Sequence, residues 1–335
     1  MPLPILFIGI AAATGSLGIG KTIKAGVHAN EASKINKSAQ EIVDDSIKRM
    51  DLQRKVCGNS LEFLGEQKLF ILNTSMNDFL NSFSKIKNVD FRDSEGLEEL
   101  KNFHIDSKYF AEMKTMVNFA GSIAGGVTAG TAGGALVAFG AYGAAQALAV
   151  ASTGTAIASL GGAAATNATL AFFGGGSLAA GGLGIAGGTA VLGGLVAGPA
   201  LLVMGFVAGA AAKKNLEKAY INRDEAIQIY EQLSAASLQC ESIRRRTYMY
   251  YSLLARLDSY FLPLIYKMED ILKNEGEDYH MYSPESKKVI ASCASFAVTI
   301  KMLLDTPILT EEGYLTEESS EAVEKVVSRL EETKQ

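Results

Sequence analysis

From Thr115 to Ala212 the chain runs for 98 residues without one Asp, Glu, Lys or Arg. An ordinary soluble domain is about 25% charged, and those charges cover its surface. Folding 98 consecutive residues with no ionic group in water leaves little to cover the outside of the fold. The same block holds 24 of the 34 glycines of the chain, together with 29 alanines. A hydrocarbon core of about 30 Å needs roughly 20 apolar residues per helix, so the block is long enough for two crossings and for at most four.

Its glycines are spaced for contact between helices. Gly121 and Gly125, Gly126 and Gly130, Gly130 and Gly134, Gly184 and Gly188, Gly194 and Gly198, and Gly205 and Gly209 are each four apart. That spacing lines small residues along one ridge and lets backbones approach closely where water supplies no driving force. In a water-exposed helix each would cost about 1 kcal/mol relative to Ala. Phe139, Phe172, Phe173, Leu201, Leu202, Met204 and Phe206 are too bulky for a flexible linker. Glycine and alanine are only weakly apolar, so a block of this kind inserts marginally and suits a segment that an assembly holds and then releases.

Around the block the chain divides by composition. Residues 1–26 form an apolar start, 27–114 a first amphipathic arm, 115–212 the uncharged block, and 213–335 a second arm with terminal helices. Ile35, Ala39, Ile42, Val43 and Ile47 fall at three- and four-residue spacing on the first arm, with a break expected near Asn88 to Gly96. Leu216, Ala219, Tyr220, Ile227, Tyr230, Leu233 and Leu238 suggest one face of the second arm. A turn at Tyr282-Ser283-Pro284, a stop at Thr306-Pro307 and a charged final helix complete the pattern. No strand alternation appears. The expected fold is all-α: long amphipathic helical arms flanking a Gly/Ala-rich membrane-inserting helical hairpin block.

Lys108 and Lys114 precede the block and Lys213 and Lys214 follow it. Positive charge on both sides keeps both arms cytoplasmic and requires an even number of crossings. The apolar start lacks the leading charge of a secretory signal, since Lys21 and Lys24 come after it. A bacterial inner-membrane location with cytoplasmic arms follows as an expectation, with a soluble resting state as one form of the protein.

Little in the chain suggests catalysis. Gly15-Ser16-Leu17-Gly18-Ile19-Gly20-Lys21-Thr22 matches the phosphate-loop pattern. The α/β context that such a loop needs does not follow it, so nucleotide hydrolysis is not expected. Cys57, Cys240 and Cys293 form no disulfide framework. With His28, His104 and His280 they show no metal-ligand spacing. Carboxylate pairs such as Asp44-Asp45 lie on charged faces without a partnered His or Cys. The expectation is a non-enzyme with no catalytic residues, no metal and no cofactor.

One segment carries binding chemistry. Arg244, Arg245 and Arg246 with Tyr248, Tyr250 and Tyr251 combine forked phosphate donors with stacking rings, which suits an oligonucleotide or nucleotide. The competing reading is a helix face whose tyrosines pack on a neighbour and whose arginines pair with Glu241 and Asp258.

Ser152-Thr153-Gly154-Thr155-Ala156-Ile157, Gly161 through Thr169, Gly174 through Gly182, the apolar start and Leu304-Asp305-Thr306-Pro307-Ile308-Leu309 together touch most of the chain. In these stretches it resembles a family of uncharacterised bacterial glycine-zipper membrane proteins. The layout is also similar to colicins and apolipoproteins L, which hide an apolar hairpin, and to channel-like membrane effectors of anti-phage systems such as Hailong. That resemblance implies an oligomeric, pore-forming ion channel in antiviral defence, regulated through its arms. The implied partners are the lipid bilayer, further copies of the chain, an oligonucleotide or nucleotide regulator, and a regulatory protein encoded in the same operon. The alternative is a membrane scaffold or signalling adaptor that does not conduct.

Overall fold

The computed structural model describes residues 25–91, 108–124, 140–141, 216–310 and 314–332. These are almost wholly helical. Helix α1 spans Ala25–Ile71, passes through a π-helical turn at Leu72–Met76 and continues as α2, Asn77–Phe83. Helix α3 is Lys108–Ala124, α4 is Leu216–Glu275, α5 is Pro284–Asp305 and α6 is Glu317–Glu332. All-α holds for the described residues, where only two isolated bridges occur, Lys87 with Asp278 and Leu309 with Leu315.

The frame is a pair of helices that run in the same direction. Asn222 Nδ2 donates to Asn36 Oδ1 at 2.9 Å, and Ser237 Oγ to Met50 Sδ at 3.2 Å. Ser75 donates to Asp258, Ser82 to Glu269 at 3.3 Å, and Asn88 to Asp278 at 3.0 Å. Partner numbers rise together along both helices, so α1–α2 and α4 are parallel. At 1.5 Å per residue each is about 90 Å long.

The seam between them is heptad-spaced. Ala219, Ala226, Leu233, Cys240, Thr247, Leu254, Phe261 and Met268 are buried every seventh residue of α4. Ile229, Ile243, Tyr250 and Leu257 form the second row. From α1, Val43, Met50, Cys57, Leu64 and Ile71 face them at the same spacing. Repeating apolar positions every 3.5 residues on average keep one stripe turned toward a partner. The face expected from sequence on the second arm is mostly not the buried one: Ala219 and Leu233 are buried, whereas Tyr220, Ile227, Tyr230 and Leu238 are exposed.

At the distal end the two helices close against each other. Phe79, Phe83, Phe91, Phe110 and Phe261 pack there, with Phe79 and Phe83 stacked at 5.1 Å. Gly276, at φ +84°, ends α4 in the left-handed conformation that glycine adopts without a Cβ penalty. Ser283 caps α5 by accepting from Ser286 N, with Pro284 at its first turn. The return helix α5 buries Ile290, Ala294, Ala297, Ile300 and Leu304. Helix α6 adds Val323, Val326 and Leu330. The expected break in the first arm is met, since α2 ends at Phe83.

Among the described residues no helix is long and apolar enough to cross a membrane. Of the uncharged block only 115–124 and 140–141 are described, so the hairpin expected there lies outside the described residues. The phosphate-loop match at Gly15–Thr22 lies outside them too.

Candidate functional site

Two places bear on function: the point where the uncharged block meets the helical body, and the arginine–tyrosine segment of α4.

The first is built around Gly140 and Ala141. Lys68, wholly buried in α1, donates from Nζ to the Gly140 carbonyl at 3.3 Å. The Ala141 carbonyl accepts from the backbone amides of Ile308 and Leu309, at 2.8 and 3.1 Å. Gly140 lies so close to α1 that a Cβ there would overlap the Leu61 carbonyl. Only glycine allows that approach. Around this anchor lies a part-buried ionic group centred on the buried Lys301. Lys301 bonds Glu112 at 3.0 Å and Asp305, and stands 4.3 Å from the centre of the Tyr109 ring. Burial pushes the Asp305 carboxyl up while Lys301 opposes the rise, and its Oδ1 is buried with no hydrogen-bond partner. Burial pushes Lys68 down to about 7, against the pull of Asp305.

These residues come from five places in the chain: α1, α3, the Gly140–Ala141 segment, α5 and the segment after α5. They are dispersed in sequence and were not found by sequence reasoning. Lys68 reads as one more lysine on a polar helix. Sequence reading singled out the uncharged block that holds Gly140 and Ala141 and the stretch that holds Asp305, Ile308 and Leu309, but nothing in it joined the two.

The second place is less concentrated than the sequence implies. Arg245 is exposed and paired with Glu241 one turn back. Arg246 turns to α6, where it donates to Ser319 Oγ at 3.5 Å and Ser320 Oγ at 3.1 Å. Tyr250 is buried in the seam, its hydroxyl donating to the Ser319 carbonyl at 3.2 Å. Arg244 is part-buried, with its Nε meeting no acceptor. Tyr248 and Tyr251 face solvent. The six residues therefore point in several directions around one helix, and Arg245, Tyr248 and Tyr251 are the ones left on its exposed side. Asp258, expected beside an arginine, accepts from Ser75 instead.

No family model, curated protein or solved structure matches this chain.

Of the glycine ridge, Gly121 lies exposed on α3, where an added Cβ would meet only Asn73 Oδ1 at 3.8 Å. Gly125, Gly126, Gly130, Gly134, Gly184, Gly188, Gly194, Gly198, Gly205 and Gly209 lie outside the described residues. Among the described residues no group of His, Cys, Asp and Glu could hold a metal.

Proposed function

We propose that this chain is a membrane effector that assembles into an oligomeric channel or pore in bacterial anti-phage defence, with its helical arms as the regulatory part. One observation carries the reading. Helices α1 and α4 are parallel, so both begin at the same pole of the rod. The apolar start of the sequence leads directly into α1, and the end of the uncharged block leads directly into α4. The two stretches of sequence best suited to a bilayer are thus both tied to one pole. Lys21 and Lys24 stand just before α1, and Lys213 and Lys214 just before α4. Four lysines beside that pole suit the cytoplasmic surface of an anionic membrane.

In this reading the bilayer takes up the block, and copies of the chain associate through its glycine ridges. The rod projects into the cytoplasm. An anionic regulator such as a short oligonucleotide would reach α4 at Arg245, Tyr248 and Tyr251. A non-conducting scaffold or signalling adaptor is the second reading, and it would use the same pole without a pore.

The test is flux from dye-loaded anionic liposomes with the purified full-length protein. Wild type should associate with the vesicles and release dye, and replacing Gly126 and Gly130, or Gly194 and Gly198, with Leu should reduce release. Vesicle association without release would favour the scaffold, and a protein that ignores vesicles would end the membrane reading.

A further inference from the structure

The seam between α1 and α4 contains one layer unlike the rest. Cys57 and Cys240 face each other there, both about 95% buried, with the two thiols interacting across the seam. One turn before Cys57 on α1 is Arg54, and one turn after Cys240 on α4 is Arg244. Each guanidinium acts across the seam, Arg54 on Cys240 and Arg244 on Cys57. Arg54 holds Asp51 through Nη1 at 3.2 Å, but its Nε and Nη2, and Nε of Arg244, are buried and meet no acceptor.

A heptad layer needs nothing of this kind. Apolar residues would fill it better, and buried N–H groups without acceptors cost free energy. A thiolate at Cys240 changes that balance, because it places a negative charge near Arg54. The interaction with Cys57 and the charge of Arg54 both favour that thiolate, while the same interaction and burial keep Cys57 protonated. Such an asymmetric pair, one thiolate beside one thiol under positive charge, is the arrangement that makes a cysteine nucleophilic. Cys293 provides the contrast within the same molecule. It is buried in α5, and burial alone pushes its thiol up.

We propose that Cys57 and Cys240 form a redox-active dithiol, oxidised by small hydroperoxides to a disulfide that staples α1 to α4. The Cys240 thiolate attacks one peroxide oxygen and the O–O bond breaks, giving a sulfenic acid and releasing the alcohol or water once the departing oxygen takes a proton. Cys57 then attacks the sulfenic sulfur. The S–S bond forms, the S–O bond breaks, and the Cys57 proton leaves with the hydroxide as water. Two thiols and one hydroperoxide become one disulfide, one alcohol or water, and one further water. The two cysteines bracket the whole uncharged block, so the staple fixes the helix that precedes it against the helix that follows it.

The experiment treats the reduced full-length protein with stoichiometric hydrogen peroxide and reads intact mass and a non-reducing peptide map. The expected product has lost two hydrogens, carries a Cys57–Cys240 cross-link within one chain, leaves Cys293 free and reverts with a dithiol reductant. In Cys57→Ser a dione probe should trap the sulfenic acid at Cys240, and Arg54→Gln with Arg244→Gln should slow oxidation about tenfold or more. The wild-type map needs no variant to fold. Unchanged mass, a cross-link between chains, or oxidation of Cys293 at the same rate would overturn the proposal. None of these readouts involves a membrane, so they stand or fall apart from the pore reading.

Discussion

Lys68 is the residue whose environment departs furthest from what its type prefers. A lysine wholly removed from water needs polar partners, and Lys68 donates to the carbonyl of Gly140. Burial holds it down to about 7, so folding disfavours the charged form. The sign follows from linkage. Between about 7 and the ordinary lysine value of 10.5 the unfolded chain binds this proton and the folded one does not. Its contribution to stability is therefore full above the unfolded value and is lost as pH falls through about 7. Denaturant midpoints should rise from pH 7 to pH 9.5, and Lys68→Met, which fills the same space without a charge, should flatten that rise. An equal slope in the variant would remove Lys68 as the source. Asp305 has a raised value and acts in the opposite sense, but in the acid range. The anchor residues are invisible in sequence because α1, α3 and the segment after α5 meet only in space.

At the scale of the element, the α1–α4 pair decides the architecture, and its Asn36–Asn222 contact stands in the same heptad rows as Val43 and Ile229. A polar pair in such a seam gives up apolar contact but specifies register and orientation. Asn36→Leu removes the acceptor of the Asn222 amide, at a cost of about 1 kcal/mol, and Asn222→Leu removes this donor from Asn36. Changing both should restore or raise the unfolding midpoint. Single changes that are each neutral would mean the pair contributes nothing to the seam. The helical nature of both arms was legible from their spacing, whereas the buried face of α4 was not. Its seam includes Ala219, Ala226, Cys240 and Thr247, small residues that let two backbones approach, while larger Tyr220, Ile227 and Leu238 point outward. Reading by hydrophobicity alone favours the larger set.

Over the whole molecule, the parallel pair has a topological consequence. A chain that ends α2 at the distal pole must return about 90 Å before α4 can begin. Helix α3 and the anchor at Gly140–Ala141 lie on that return, the anchor level with Leu61 and Lys68 of α1. If the pole carrying the two helix starts meets a membrane, both arms lie on one side. Lys48→Cys on α1 and Lys273→Cys on α4 replace exposed side chains and suit labelling in cells. Both should react only with a reagent that reaches the cytoplasm. Labelling of the two from opposite faces would break the even-crossing topology and, with it, the common pole as a membrane anchor.

Local chemistry determined a good deal by itself: the helical class, the break within the first arm, the Ser283-Pro284 start of α5 and its end before Pro307 all depend on side chains within a turn or two of one another. The uncharged block and its flanking lysines are likewise properties of sequence. Tertiary structure decided that the arms run parallel, that Arg244, Arg245 and Arg246 part company, and that Cys57 meets Cys240. Each of these depends on which face of one long helix meets another. Periodicity shows that a face exists, but partner and direction come from packing between residues far apart in the chain.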